Sequence, residues 1–171
     1  HPFSDPRVTV VNDDAMAWEL RQRLLALRAA GRTVVVYVDR ADLRLYHLAS
    51  AADRIVLDPV GLIGLEGFAA GQLYLRGALD KLGIGSQEWR YREYKSAFEP
   101  LSRRDMSAAD REQWQAVIDD AYGRARADIC AARGLAPEAF DALVDSVTVL
   151  LPAEAVARGL VDTVGRWDLV E

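Results

Sequence analysis

The chain has 171 residues, of which 21 are Lys or Arg and 26 Asp or Glu, for a formal charge of −5. Apolar residues make up 51% and charged residues 27%, which excludes disorder for the bulk of the chain and suits one domain with a real core. The mildly acidic balance argues against a nucleic-acid surface, so no nucleic acid is expected as a partner.

Arg7–Val11 reads as a short buried strand, followed by Asn12, Asp13 and Asp14 as helix-capping residues. Trp18, Leu20, Leu24, Leu25 and Leu27 then recur at helical spacing, and Gly31 ends that helix. Thr33–Val38 (TVVVYV) is a β-branched run that reads as a strand covered on both faces, as in parallel sheets. Ala41–Ala52 reads as a second helix. Arg54–Leu57 is another short strand, stopped by Asp58 and Pro59. Gly61–Gly67 holds three glycines in an apolar run, which suggests close backbone approach or a bulge. Phe68–Leu82 is predicted helical, and Gly83–Arg92, carrying Trp89 and Tyr91, is predicted to be a strand.

Ser107–Arg133 is the longest predicted helix, opened by Ser107 and Asp110 in the spacing of a capping box. Trp114, Val117, Ile118, Ala121, Ala125 and Ile129 recur along it at threes and fours. Pro137 and Pro152 each start a short helix, where a missing N–H costs little. Strands alternating with helices imply a single α/β domain over 1–171, with no repeat and no linker to mark a boundary.

The one cysteine, Cys130, cannot form an intramolecular disulfide and reads as a buried small hydrophobe. No Cys and His cluster suits a structural zinc, and no cofactor is expected. The longest apolar runs fall far short of the ~20 residues of a membrane helix. The chain begins at His1 without a visible signal peptide and reads as a processed or excised piece.

Candidates for acid–base chemistry are few. His1 is terminal, and His47 sits inside a predicted helix beside Tyr46 with no Gly-x-Ser-x-Gly elbow to serve it, so it reads as a packed helix histidine. Nineteen of the basic residues are Arg, which stays charged and cannot act as a base; the two lysines are Lys81 and Lys95. Lys81, near a predicted helix end, suits a C-terminal charge. Lys95 lies between Tyr94 and Ser96, with Phe98 close by. Neighbours that desolvate an amine disfavour its ammonium form, which is the condition for a lysine general base. On composition alone, a solvated lysine is the commoner state. Ser96 is a poor partner for Lys95 if the segment is extended, because consecutive side chains then point to opposite faces.

Tyr94-Lys-Ser-Ala-Phe-Glu-Pro100 followed by Arg104-Asp-Met-Ser107 resembles the lysine motif of the signal peptide peptidase A family, also called protease IV. Leu45-Tyr-His-Leu-Ala-Ser-Ala-Ala-Asp-Arg-Ile55, Gly67-Phe-Ala69, Leu79-Asp-Lys-Leu-Gly83 and Ala153-Glu-Ala-Val-Ala-Arg-Gly-Leu-Val-Asp162 continue the resemblance in the same order. It covers roughly Thr33 to Gly165.

The resemblance implies a crotonase-like (Clp protease/crotonase-type) α/β repeat with a mostly parallel sheet flanked by helices. It implies a serine peptidase in which a neutral lysine takes the proton of the attacking serine, and it assigns Lys95 as that general base. It further implies signal-peptide remnants or other unfolded, hydrophobic peptides as substrates. It places the protein in the bacterial cell envelope, at the inner membrane facing the extracytoplasmic side, and it implies homo-oligomers.

One departure is decisive for the reading. The family's nucleophile position falls on Leu43, and the neighbouring glycines are missing too. Lysine present and serine absent resembles the amino-terminal half of the long, duplicated members, where a second serine-bearing repeat of the same protein completes the site. A catalytically inactive scaffold for oligomerisation or peptide binding is the competing reading; an acyl-CoA enzyme of the same fold lacks a Gly-Gly loop here. For peptide binding by strand addition, Leu62–Phe68 is the candidate, with Leu65, Gly67 and Phe68 at its centre; a Gly-rich core strand or turn is the equal alternative.

Overall fold

The valine-rich segment after Gly31 forms the first strand of the sheet. The computed structural model describes residues 14–146 and 149–170; the predicted strand Arg7–Val11 lies outside them. Helix α1 (Asp14–Ala29) precedes β1 (Val35–Ala41), α2 (Leu43–Ala49) and β2 (Arg54–Gly64). Further along come α3 (Arg76–Lys81), α4 (Glu99–Ser102), α5 (Ala108–Arg133), α6 (Pro137–Ser146), β3 (Val149–Leu150), α7 (Pro152–Ala157), β4 (Thr163–Val164) and a 3-10 turn at Trp167–Leu169. The chain gathers into two compact units: residues up to Gly67 together with those from Arg124 onward, and Phe68–Gly123. The sequence shows no boundary at these points. One junction follows an apolar run, and the other falls inside α5.

In the first unit, β1, α2 and β2 make a βαβ element with the strands parallel, pairing Val35↔Arg54 through Val38↔Leu57. β4 extends the sheet in parallel at Val56↔Thr163, and β3 pairs antiparallel at Ile63↔Leu150. Ile55, Val56, Leu57, Ile63 and Leu65 are fully buried, as expected of a strand covered on both faces. Tyr46 of α2 is also fully buried, and its hydroxyl donates to the Leu160 carbonyl at 2.6 Å.

β2 is one long strand where two short segments are predicted. The register steps from Val38↔Leu57 to Arg40↔Leu62 across a bulge that holds Asp58 and Pro59. Asp58 accepts the Tyr37 hydroxyl and the Val60 N–H, so its carboxylate fixes the bulge and its pKa lies below the usual range. Pro59 needs no ladder bond there. Gly61 is required by close approach: a Cβ would sit 2.5 Å from the Asp39 carbonyl and 2.8 Å from Leu57 Cδ1. Gly61→Ala is therefore expected to destabilise the protein by about 1–3 kcal/mol, because the facing atom is backbone and cannot rotate away. Chemical denaturation checks this, and an unchanged midpoint would refute it.

The apolar positions of α1 do not make its buried face. Trp18 and Leu27 are exposed, and the buried residue is Arg21. Its guanidinium reaches Asp128 at 3.1 Å, the His47 carbonyl at 3.2 Å and Ser50 Oγ at 3.3 Å. The closing motif is a fastening. Asp162 accepts the Ile55 N–H at 2.7 Å and both terminal nitrogens of Arg133, at 2.9 and 3.1 Å. Those bonds outweigh burial and hold its pKa down. Cys130 is buried, as expected, and burial pushes its thiol pKa up.

In the second unit, two predicted elements are corrected. Of the helix expected over Phe68–Leu82, only α3 forms, because the Leu75 N–H is taken by the Pro100 carbonyl at 2.7 Å. Gly83, at φ +70°, ends it, and Lys81 lies in its last turn as expected. The strand expected over Gly83–Arg92 pairs with no other strand among the described residues. α5 begins where predicted, with Ser107 Oγ accepting the Asp110 N–H at 3.1 Å. The return bond of the expected capping box differs: the Ser107 N–H goes to Glu99, not to Asp110.

Candidate active site

The lysine motif folds as two tight turns leading into α4, not as an extended segment. Lys95 N–H donates to the Arg92 carbonyl at 3.2 Å, and Glu99 N–H to the Ser96 carbonyl at 2.9 Å. The premise that separated Lys95 from Ser96 therefore does not hold. Both line one open cavity of about 420 Å3 within the second unit, together with Tyr94, Asp110, Gln113 and Trp114. No hydrogen bond links the two side chains. Lys95 is exposed, and so are Tyr94 and Phe98, so these neighbours do not desolvate its amine. The Tyr94 hydroxyl instead donates to Glu112 at 3.1 Å.

Glu99 is the motif residue that sequence reasoning missed. It is fully buried. One carboxylate oxygen accepts Arg90 Nη1 at 2.8 Å, and the other accepts the Ser107 N–H at 3.1 Å. Burial alone would push its pKa up, but hydrogen bonds from Ser107 and Arg90 outweigh it and hold the group below its ordinary value. Glu99 thus ties the lysine turns to the start of α5, whose next two turns supply Asp110, Gln113 and Trp114 to the cavity. The signal was a carboxylate inside Ala-Phe-Glu-Pro, but no spacing rule links it to Arg90.

Position 43 has no nucleophilic chemistry. The Leu43 side chain is buried at the start of α2, and Asp42 caps that helix by accepting the Leu45 N–H at 2.8 Å. Ser50 is 1% exposed and donates to the His47 carbonyl at 2.7 Å. His47 Nε2 meets Asp128 at 2.6 Å, and burial holds the imidazole pKa below its usual value. Serine, histidine and aspartate are thus close, but the serine hydroxyl bonds a backbone carbonyl rather than the imidazole. The group is a half-buried tether for Arg21, not a catalytic triad.

Of the strand-addition candidates, Leu65 is fully buried, so its side chain is core and only its backbone is left for pairing. Gly67 sits at φ +68°, with Val144 Cγ1 3.6 Å from where a Cβ would be. Phe68 is half-buried at the start of the second unit. Among the described residues no helix is long and apolar enough to cross a membrane, and no cluster of His, Cys, Asp and Glu could hold a metal.

The βαβ element, the mostly parallel sheet and the flanking helices define an α/β protein of the Clp protease/crotonase type. A solved structure, the 1510-N membrane-bound stomatin-specific protease S97A mutant, shares this fold with a TM-score of 0.53 and 14% identity, over 90% of this chain and 59% of that one. The chain belongs to Peptidase family S49, whose model matches residues 26–171. It is 34% identical over 129 residues to Protease 4 of Salmonella typhi, covering 73% of this chain and 21% of that protein. To Protease 4 of Haemophilus influenzae it is 40% identical over 88 residues, 50% of this chain and 14% of the relative. To the chloroplastic serine protease SPPA of Arabidopsis thaliana it is 30% identical over 104 residues, 61% and 15% respectively. The matched stretches thus span about a fifth or less of each relative's length.

Proposed function

We propose that this chain is the lysine-bearing half of a Ser-Lys serine endopeptidase, completed by a serine-bearing repeat of the same protein. Its substrates are signal-peptide remnants or other unfolded, hydrophobic peptides, at the extracytoplasmic side of a bacterial inner membrane. The observation that carries the reading is a contrast between two positions. Lys95 stands exposed on the wall of an open cavity, whereas position 43 holds a buried leucine. In the completed site the incoming unit covers Lys95 and desolvates its amine, which its own neighbours leave open. The neutral amine takes the proton of the attacking serine hydroxyl and returns it to the leaving amine; water then releases the acyl group. The extended substrate pairs through main chain at Leu65–Gly67.

This chain by itself is expected to hydrolyse no peptide and to take no label from a serine-directed acylating probe. Adding the serine-bearing repeat should bring both activities. Mass spectrometry of the labelled chain decides the point: stoichiometric acylation of Ser50 or Ser96 would overturn the assignment. An assembled protein that binds peptides but cleaves none would instead favour the inactive scaffold.

A further inference from the structure

Helix α1 is fastened to the rest of the first unit by charge. Among its described side chains Arg21 is the one that is buried, at 4% exposed, while Met16, Trp18, Leu20 and Leu27 face solvent. Arg21 Nε and His47 Nε2 both donate to one oxygen, Asp128 Oδ2, at 3.1 and 2.6 Å. An ionised carboxylate only accepts, so Nε2 carries the proton of the neutral ring and Nδ1 is the position left for a second one. Another fastening sits near the far end of the helix, where Arg28 meets Asp53 at 2.7 Å and the Ala51 carbonyl at 2.9 Å. Asp53 also accepts the Val34 N–H at 2.9 Å, which anchors that end to the chain just before β1.

We propose that the amino-terminal half of α1 is an acid-released strap: a second proton on His47 frees Arg21, and the helix swings away from α2 and α5 on its Arg28 anchor. The charged groups that face the ring are Arg21 of α1 and Asp128 and Arg124 of α5. With the ring neutral, Asp128 balances the buried guanidinium. A charged ring adds a second cation on the same carboxylate oxygen, partly shielded from water. Burial is the largest influence on His47, and with Arg21 and Arg124 it outweighs Asp128 and holds the pKa below the ordinary 6.5. Docked α1 thus favours the neutral ring. Its docking is full above 6.5 and is lost as the pH falls from there through the depressed folded value. Asp53 and Asp128 titrate below the ordinary 3.8, so the Arg28 anchor holds through that window. Release bares the face of α2 and α5 on which Arg21 lay and leaves the sheet intact. The proposal is independent of the role given to Lys95.

Hydrogen exchange read by mass spectrometry on the whole chain, with exchange times scaled for the intrinsic effect of pH, tests the strap. Between about pH 7.5 and about pH 5, protection of the α1 amides ahead of Arg28 is expected to fall about 10-fold, with β1 and β2 unchanged. His47→Gln stays neutral and keeps an N–H for Asp128, so its α1 should be equally protected at both values. Asp128→Asn should loosen α1 already at about pH 7.5, because Arg21 is left buried without its carboxylate. Equal protection of α1 at both values in the parent chain overturns the proposal. So does a His47→Gln chain that keeps the parent's pH dependence, or a loss of protection in β1 and β2 that accompanies the loss in α1.

Discussion

Lys95→Ala is expected to lower peptide cleavage by ~10³-fold or more in the protein assembled with the proposed serine-bearing repeat, with folding unchanged. The side chain is exposed and is not tied into the core, so its removal leaves no cavity. Lys95→Arg should be as inactive as the alanine variant. Its guanidinium keeps the positive charge but cannot accept a proton. The pair of variants separates a base from a positive charge that merely steers substrate, because steering would survive the arginine exchange. Initial rates with a fluorogenic peptide measure the effect, and thermal melts confirm the fold. Cleavage by Lys95→Ala at the unsubstituted rate would sink the reading.

Glu99→Ala should cost about 2–3 kcal/mol of stability, the largest loss expected from any motif residue. Removing the carboxylate leaves the Ser107 N–H without its acceptor and takes one partner from the Arg90 guanidinium, which keeps Glu88 and the Glu93 carbonyl. Arg90 is partly solvated and recovers some of that loss, which keeps the figure below that of a wholly buried pair. Glu99→Gln still offers an oxygen to Ser107 and should cost less. The pH dependence carries a sign. The folded pKa of Glu99 lies below its ordinary 4.5, so the ionised group contributes its stability above that value. The contribution fades as the pH falls through the depressed folded value. The parent chain should therefore lose stability more steeply than Glu99→Gln below about pH 4.5. Urea denaturation across that range measures it, and parallel pH profiles for the two proteins would refute it. The same variants should also cleave more slowly when assembled, because Glu99 fastens the turns that present Lys95.

Local signals were readable where the chemistry was local. Valine-rich β1, the proline-started α6 and α7, and the start of α5 at Ser107 all follow from side-chain shape and capping. The glycines of Gly61–Gly67 were readable as close approach or a bulge, and at Gly61 a Cβ would indeed meet the Asp39 carbonyl. The failures share one cause, competition from a distant partner. The Pro100 carbonyl shortens α3 by taking the Leu75 N–H. Three partners far away in sequence bury Arg21, while Trp18, Leu20 and Leu27 of α1 stay exposed. Glu99 outcompetes Asp110 for the Ser107 N–H because it is already buried beside it.

The amino-acid sequence determined the α/β class, the family motif around Lys95 and a leucine, with no nucleophilic group, at position 43. Each of these rests on residue type at one position or on short-range order, which a sequence carries in full. Tertiary structure alone decided that Glu99 is a buried clamp, that Ser50, His47 and Asp128 form a tether, and that Gly85–Tyr91 pairs with no strand among the described residues. Those outcomes depend on which donor reaches which acceptor across many residues, and burial settles that contest only after the chain has folded.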